Sequence, residues 1–168
     1  MKIAIYIIVY SFLGYILERI INLVAWGIWY DNSVLVGPYQ PMYGVGVVLT
    51  LYLWWFIKRL RLTRLIQMTV LIVVAALITG MVELISGTLY EALFDEVLWD
   101  YRITFDFCRG PYTCWFPTFM FGLLSVFTVK VVHPLIESYL LLIPKGVKLG
   151  IVLVFLLDVI YTYYEVLL

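Results

Sequence analysis

Long apolar runs, broken by short charged or Gly/Pro-rich segments, organise the whole chain. Runs long enough to cross a hydrocarbon core of about 30 Å fall at Ile3 to Trp29, Leu65 to Phe94, Thr113 to Val132 and Val147 to Leu168. A shorter run, Met42 to Ile57, reaches only about 24 Å at the helical rise, so other chain must fill the remaining depth there. The segment before it, Val34-Leu35-Val36-Gly37-Pro38-Tyr39-Gln40-Pro41, is uncharged, yet its prolines and glycine disfavour a continuous helix. A partly re-entrant loop is the expectation. The pattern therefore predicts an all-α, polytopic membrane bundle of five transmembrane helices, forming a single transmembrane domain over residues 1–168. Lys2 ahead of an apolar run imitates a secretory signal. The run is too long for one and no small-residue cleavage site follows, so it is read as a retained first span.

Composition agrees with this reading: 65% of residues are hydrophobic and 13% charged, too few to cover a soluble domain. Formal net charge is zero, which argues against nucleic acid as a partner and leaves membrane lipid as the surroundings. The placement of the cations is more informative than their sum. Lys2, Lys58, Arg59, Arg61, Arg64, Lys130, Lys145 and Lys148 all fall on one side of the five-span arrangement, with Arg102 and Arg109 opposite. The positive-inside rule then predicts the cytoplasmic membrane, a cytoplasmic N-terminus and an extracytoplasmic C-terminus. Pro134 to Pro144 is too short to cross and is expected along the inner interface, with His133 ending the fourth span there.

Charged side chains inside a bilayer cost roughly 2.5 to 3.5 kcal/mol each on insertion scales, so those present invite a functional reading. Glu18 lies well inside the first run, Glu83 and Glu91 in the outer half of the third, and Asp158 inside the last. Gly14, Glu18 and Asn22 recur every four residues, as do Glu83, Gly87 and Glu91. Each set makes one helical stripe of polar groups beside small ones, with Ser86 close to the second. The first and third helices are expected to face each other or a shared cavity, with Arg19 as a partner for Glu18. The competing reading is that Glu18, Glu83 and Asp158 are hydrogen-bonded groups that fix helix register, and that Glu91 is simply solvated. The loop residues Gly37, Pro38, Gln40 and Tyr43 complete a candidate outward-facing polar pocket, because a short interrupted span beside buried charge points to a substrate site.

Signals of catalysis are scarce. There is no P-loop, no H-E-x-x-H, no G-x-S-x-G, and a single histidine, so no cofactor or metal is expected and energy coupling falls to a partner or an ion gradient. Ser86 and His133 map to opposite ends of the bundle, too far for a proton transfer that needs about 3 Å. A hydrolase using two of the buried carboxylates is the remaining enzymatic reading. Cys108 and Cys114 share one loop on the side where disulfides form, and either pair or leave Cys114 as a small apolar residue opening the fourth span.

Several elements resemble a known family. They are Gly14-Tyr15-x-x-Glu18, then Val36-Gly37-Pro38-x-x-Pro41-Met42-Tyr43-Gly44-x-Gly46, then Glu83-x-x-Ser86-Gly87-x-x-x-Glu91-x-x-Phe94, then Trp99-Asp100-Tyr101. In this order they are similar to the bacterial family described as putative ABC-transporter type IV, and the likeness runs from Gly14 to about Pro134. The chain departs from that pattern at Asn32-Ser33-Val34-Leu35, where the family has an Arg-Gly-Phe, and after Tyr101, where Arg109 corresponds only loosely to a family arginine. The resemblance implies a permease or permease subunit for a small solute, with a separate ATPase or other membrane subunit as partner. Asp100, held between two rings, is then a lid for the acids, or part of an ordinary aromatic belt. The rivals are a non-transporting module that binds a lipid or a partner membrane protein, and a membrane-embedded enzyme.

Overall fold

The computed structural model describes residues 1–29, 31 and 33–167. Asn32 and the end of the last span at Leu168 lie outside the described residues. Among these the protein is helical, with no strand. In chain order the helices are α1 (Lys2–Trp26), α2 (Pro41–Ile57), α3 (Arg64–Phe94), α4 (Tyr101–Thr104), α5 (Trp115–Phe127), α6 (His133–Leu142) and α7 (Lys145–Leu167), with a π-helical segment, Thr128–Val132, joining α5 to α6. Among the described residues, four stretches are long and apolar enough to cross a membrane: Lys2–Ala25, Arg64–Phe94, Trp115–Leu142 and Lys145–Tyr164. The 17-residue α2 spans about 25 Å, as its short apolar run foretold. Large apolar side chains such as Leu77, Met81, Val154, Leu157 and Ile160 stay exposed along α3 and α7. Water would not tolerate such faces and lipid does. The protein is a polytopic helical membrane protein.

Local chemistry sets the element ends. Gly27 closes α1 in the left-handed region at φ 67°, where its N–H reaches the carbonyls of Asn22 and Leu23. The helix thus stops short of Trp29, where the apolar run ends. Asp95 closes α3 the same way at φ 54°, a conformation that aspartate tolerates better than most residues. Pro41 opens α2, where its missing N–H costs nothing.

One expectation is corrected. The sequence expectation of a helix end at His133 gives way to one helix that runs through from Trp115 to Leu142. The π-turn explains how. The His133 N–H bonds the Thr128 carbonyl five residues back, and the widened turn accommodates a proline that has no N–H to give. Pro144 makes the real break before α7.

The chain divides into two compact units, Met1–Val48 with Tyr139–Leu168, and Leu49–Ser138. In the first, Leu35 of the loop before α2 is buried with Ile8 of α1 and Phe155 of α7. There, Gly44 of α2 lies against the Ile7 carbonyl and Ser11 of α1, leaving no room for a Cβ. In the second, Ile57, Leu71, Ala75 and Val129 form the core. A Cβ on Gly122 of α5 would come within 2.7 Å of the Ile72 carbonyl, so glycine is what lets α5 lie against α3.

Candidate functional site

In the first unit the polar stripe of α1 receives the start of α2. Ser11 is fully buried; its carbonyl accepts the Gln40 N–H at 3.0 Å, and its own hydroxyl donates to the Ile7 carbonyl at 2.7 Å. One turn further along, the Tyr43 ring rests on Gly14 so closely that any Cβ there would overlap it. That contact carries the phenol to Glu18. Tyr43 Oη donates to Glu18 Oε1 at 2.8 Å, and Gln40 Nε2 donates to Glu18 Oε2 at 2.8 Å. Gln40 is only 4% exposed. Glu18 thus takes hydrogen bonds from two neutral side chains, one on each oxygen. Adjacent helical positions point about 100° apart, and Arg19 is turned onto the rings of Tyr15 and Trp29 while donating to Tyr15 Oη. Asn22 contributes its carbonyl to the end of α1.

The loop ahead of α2 is tied to α7. Both carboxylate oxygens of Asp158 accept the Gly37 N–H at 3.1 Å, and Thr162 Oγ1 accepts the Val36 N–H at 3.1 Å. A Cβ on Gly37 would lie 2.6 Å from Asp158 Oδ2. Pro38 sits exposed at the turn, bridged by the Tyr39 N–H to the Gly37 carbonyl at 2.8 Å. Tyr39 packs edge-on against Phe155 at 5.1 Å. Asp158 therefore holds the loop backbone in place.

In the second unit the Trp99-Asp100-Tyr101 element serves the acids of α3. Asp100 caps α4 by accepting the Arg102 N–H at 2.8 Å and holds the Arg102 guanidinium as an ion pair at 2.6 Å. Those hydrogen bonds from Arg102 keep the Asp100 carboxyl below the usual carboxylate range and raise Arg102 in turn. With its backbone so fixed, Tyr101 donates through its N–H to the Pro111 carbonyl at 2.8 Å and through its hydroxyl to Glu83 Oε1 at 2.5 Å. Glu83 is 5% exposed. Trp99 meets the Tyr112 ring edge-on at 5.7 Å and reaches its carbonyl through Nε1 at 3.4 Å.

Tyr112 completes this group. Its ring sits on Gly87 and its hydroxyl donates to Glu91 Oε2 at 2.6 Å. That bond, with burial adding to it, pushes the phenol up to about 12. Glu91 itself is exposed, and Ser86 is half-buried about one turn before it. Cys108 and Cys114 form a disulfide that brackets Tyr112, so both cysteines leave the free state.

The sequence expectations name the acids, Gly37, Gln40 and Tyr43 but not Ser11, Tyr112 and Thr162, whose contacts the structure adds. Tyr112 had a visible signal: it lies next to a cysteine-bracketed Gly110-Pro111 turn. Among the described residues no group of three or more His, Cys, Asp and Glu is arranged to hold a metal.

No curated protein and no solved structure matches the chain. The family described as Putative ABC-transporter type IV matches residues 5–163. That span takes in α1 through most of α7 and every polar group described above, and on that match the chain belongs to the Putative ABC-transporter type IV family.

Proposed function

We propose that the protein is a permease or permease subunit for a small solute, with Glu18, Gln40 and Tyr43 forming a polar site on the extracytoplasmic side. The observation that carries this reading is the Glu18 carboxylate. It lies about 24 Å along α1 from Lys2, at the level where the chain leaves the Gly37-Pro38 turn and re-enters helix at Pro41. A charge there costs roughly 2.5 to 3.5 kcal/mol to insert, and interrupted spans of this kind place backbone groups beside substrate. The acceptor-only carboxylate selects a solute that brings positive charge or N–H donors. The disulfide between Cys108 and Cys114 supports an oxidising, extracytoplasmic side for that loop, and the family membership supports transport. The role is binding and passage, with no bond chemistry, and an ATPase subunit from a separate chain supplies the energy.

Thermal unfolding of purified protein with alkali cations, methylammonium and guanidinium tests this. Wild type should gain stability with at least one of them. Glu18→Gln should stay folded, because an amide avoids the cost of the charge, and lose most of that gain. Retention of the full gain by Glu18→Gln, or no gain by wild type with any of the three, refutes the reading.

A further inference from the structure

The two units carry the same elements at a constant spacing. Moving 73 positions along the chain takes Gly14 to Gly87, Glu18 to Glu91, Trp26 to Trp99, and Gly37-Pro38-Tyr39 to Gly110-Pro111-Tyr112, with no gap or insertion between them. The intervals include a helix, a loop of irregular chain and the start of the next helix. α2 opens at Pro41 and α5 at Trp115, one position from that register. What recurs is an ordered set at one offset, Gly-x-x-x-Glu, a tryptophan eight residues on and then Gly-Pro-Tyr, and a shared origin accounts for the common order and spacing.

The geometry recurs with the sequence. In each unit a tyrosine ring is seated on the glycine of Gly-x-x-x-Glu, and its hydroxyl donates to the glutamate one turn on: Tyr43 on Gly14 to Glu18, and Tyr112 on Gly87 to Glu91. The copies differ in how this is achieved. In the second unit the tyrosine of the Gly-Pro-Tyr turn makes the bond. In the first, that tyrosine, Tyr39, is drawn onto Phe155, and Tyr43, four residues later, takes the place. The turns are also held differently, by the Asp158 carboxylate in the first unit and by the Cys108–Cys114 disulfide in the second.

We infer that the chain is two copies in tandem of one helix–turn–helix unit, with α7 outside the repeat, and that Glu91 with Tyr112 is the second copy of the Glu18 site. The second half of this statement rests on the solute-binding reading of Glu18; the first half does not. Two crossings separate equivalent positions, so a tandem repeat of this kind is expected to expose both Gly-Pro-Tyr turns to the same side of the membrane.

Two arms separate the claims. The first uses single-cysteine variants of the full chain, whose native cysteines are bonded to each other. Val36→Cys and Thr104→Cys should react with a membrane-impermeant maleimide from the same side, and Arg61→Cys from the other. Labelling of the first two from opposite sides overturns the tandem repeat. The second arm counts sites by equilibrium titration with whichever of the three cations stabilises wild type. Two equivalents should bind per chain, falling to one in Glu18→Gln and one in Glu91→Gln, and to none when the two are combined. Tyr112→Phe, which keeps the ring on Gly87 and removes only the donor, should weaken one of the two sites about tenfold, the worth of roughly 1.4 kcal/mol. One equivalent in wild type, or an unchanged count in Glu91→Gln, overturns the second site. If none of the cations binds wild type, both the solute reading and the second site fail, and the repeat stands or falls on the labelling.

Discussion

Asp158 gives the sharpest separation between a carboxylate that binds solute and one that holds the fold. Both its oxygens face the Gly37 N–H at 3.1 Å, and Thr162, one turn on, supports Val36. A hydrogen bond to a charged group contributes about 1.5 to 3 kcal/mol, and a donor left without an acceptor costs a similar amount. Asp158→Ala should therefore release the turn by about 2 kcal/mol, which is a rise of roughly 30-fold in local opening. Asp158→Asn keeps an amide oxygen at the same distance and should cost under about 1 kcal/mol. Hydrogen exchange of a peptide covering residues 33–40 reads this directly, because the turn amides exchange only when it opens. The expected order is wild type, then Asn close behind, then Ala far faster. If Ala leaves exchange unchanged, the clasp is wrong. If Asn and Ala exchange alike while both lose cation-dependent stabilisation, the charge itself is what matters and Asp158 belongs with Glu18.

Three further outcomes are expected. Tyr101→Phe removes the donor to the 5%-exposed Glu83 and should cost about 1.5 to 3 kcal/mol in denaturant unfolding, whereas Glu83→Gln, which still offers an oxygen, should be near neutral. A double-mutant cycle in which the two changes simply add would show that the pair is uncoupled. Tyr112 is a phenol raised in the folded state from the usual 10 to about 12, so its stabilisation is whole below pH 10 and is lost as pH rises through 12. Phenolate absorbance should show a late-titrating tyrosine that disappears in Tyr112→Phe, and no difference between the two titrations would contradict the Glu91 bond. Reducing the Cys108–Cys114 bridge, which closes a short loop, should lower stability by about 2 kcal/mol, and a free-thiol assay on protein purified without reductant should find no reactive cysteine.

The helices were legible because lipid imposes a simple rule: an apolar run of sufficient length is a helix, and its breaks are Gly, Pro and charge. The same rule explains the miss at His133. A proline after a histidine reads as a stop, yet a π-turn satisfies the backbone around it, and whether such a turn forms depends on packing that one dimension does not carry. The acids were legible as costly groups, but the individual bonds that hold them were not. Tyr43 lies 25 residues from Glu18, and Tyr101 lies 18 from Glu83. Aromatic residues near a membrane surface have a sufficient explanation as belt residues, which hides the ones whose hydroxyls reach inward. Asp158 stands between the two readings its depth allowed, a pocket acid or a hydrogen-bonded structural group, and the bonds it accepts from the Gly37 N–H are those of the second.

The balance at Glu18 explains why tyrosine on glycine is a useful device in a bilayer. Inserting the carboxylate costs roughly 2.5 to 3.5 kcal/mol. Two donors to a charged acceptor return about 1.5 to 3 kcal/mol each, so together they offset that cost or exceed it. A carboxylate held that way need not drag water into the helix. A cationic solute that replaces one neutral donor adds a full charge–charge attraction to a bond that is already charge-assisted, and need displace only a side-chain tip. Glycine is what makes the arrangement possible, because the ring must pass over the helix backbone to bring its hydroxyl within 2.8 Å. The same ring-on-glycine seat at Gly87 delivers a phenol to Glu91, the more exposed of the two acids. The two copies should therefore differ in affinity, with the Glu18 site tighter because its carboxylate is the less exposed, and titration of the Glu91→Gln protein should retain the tighter of the two sites.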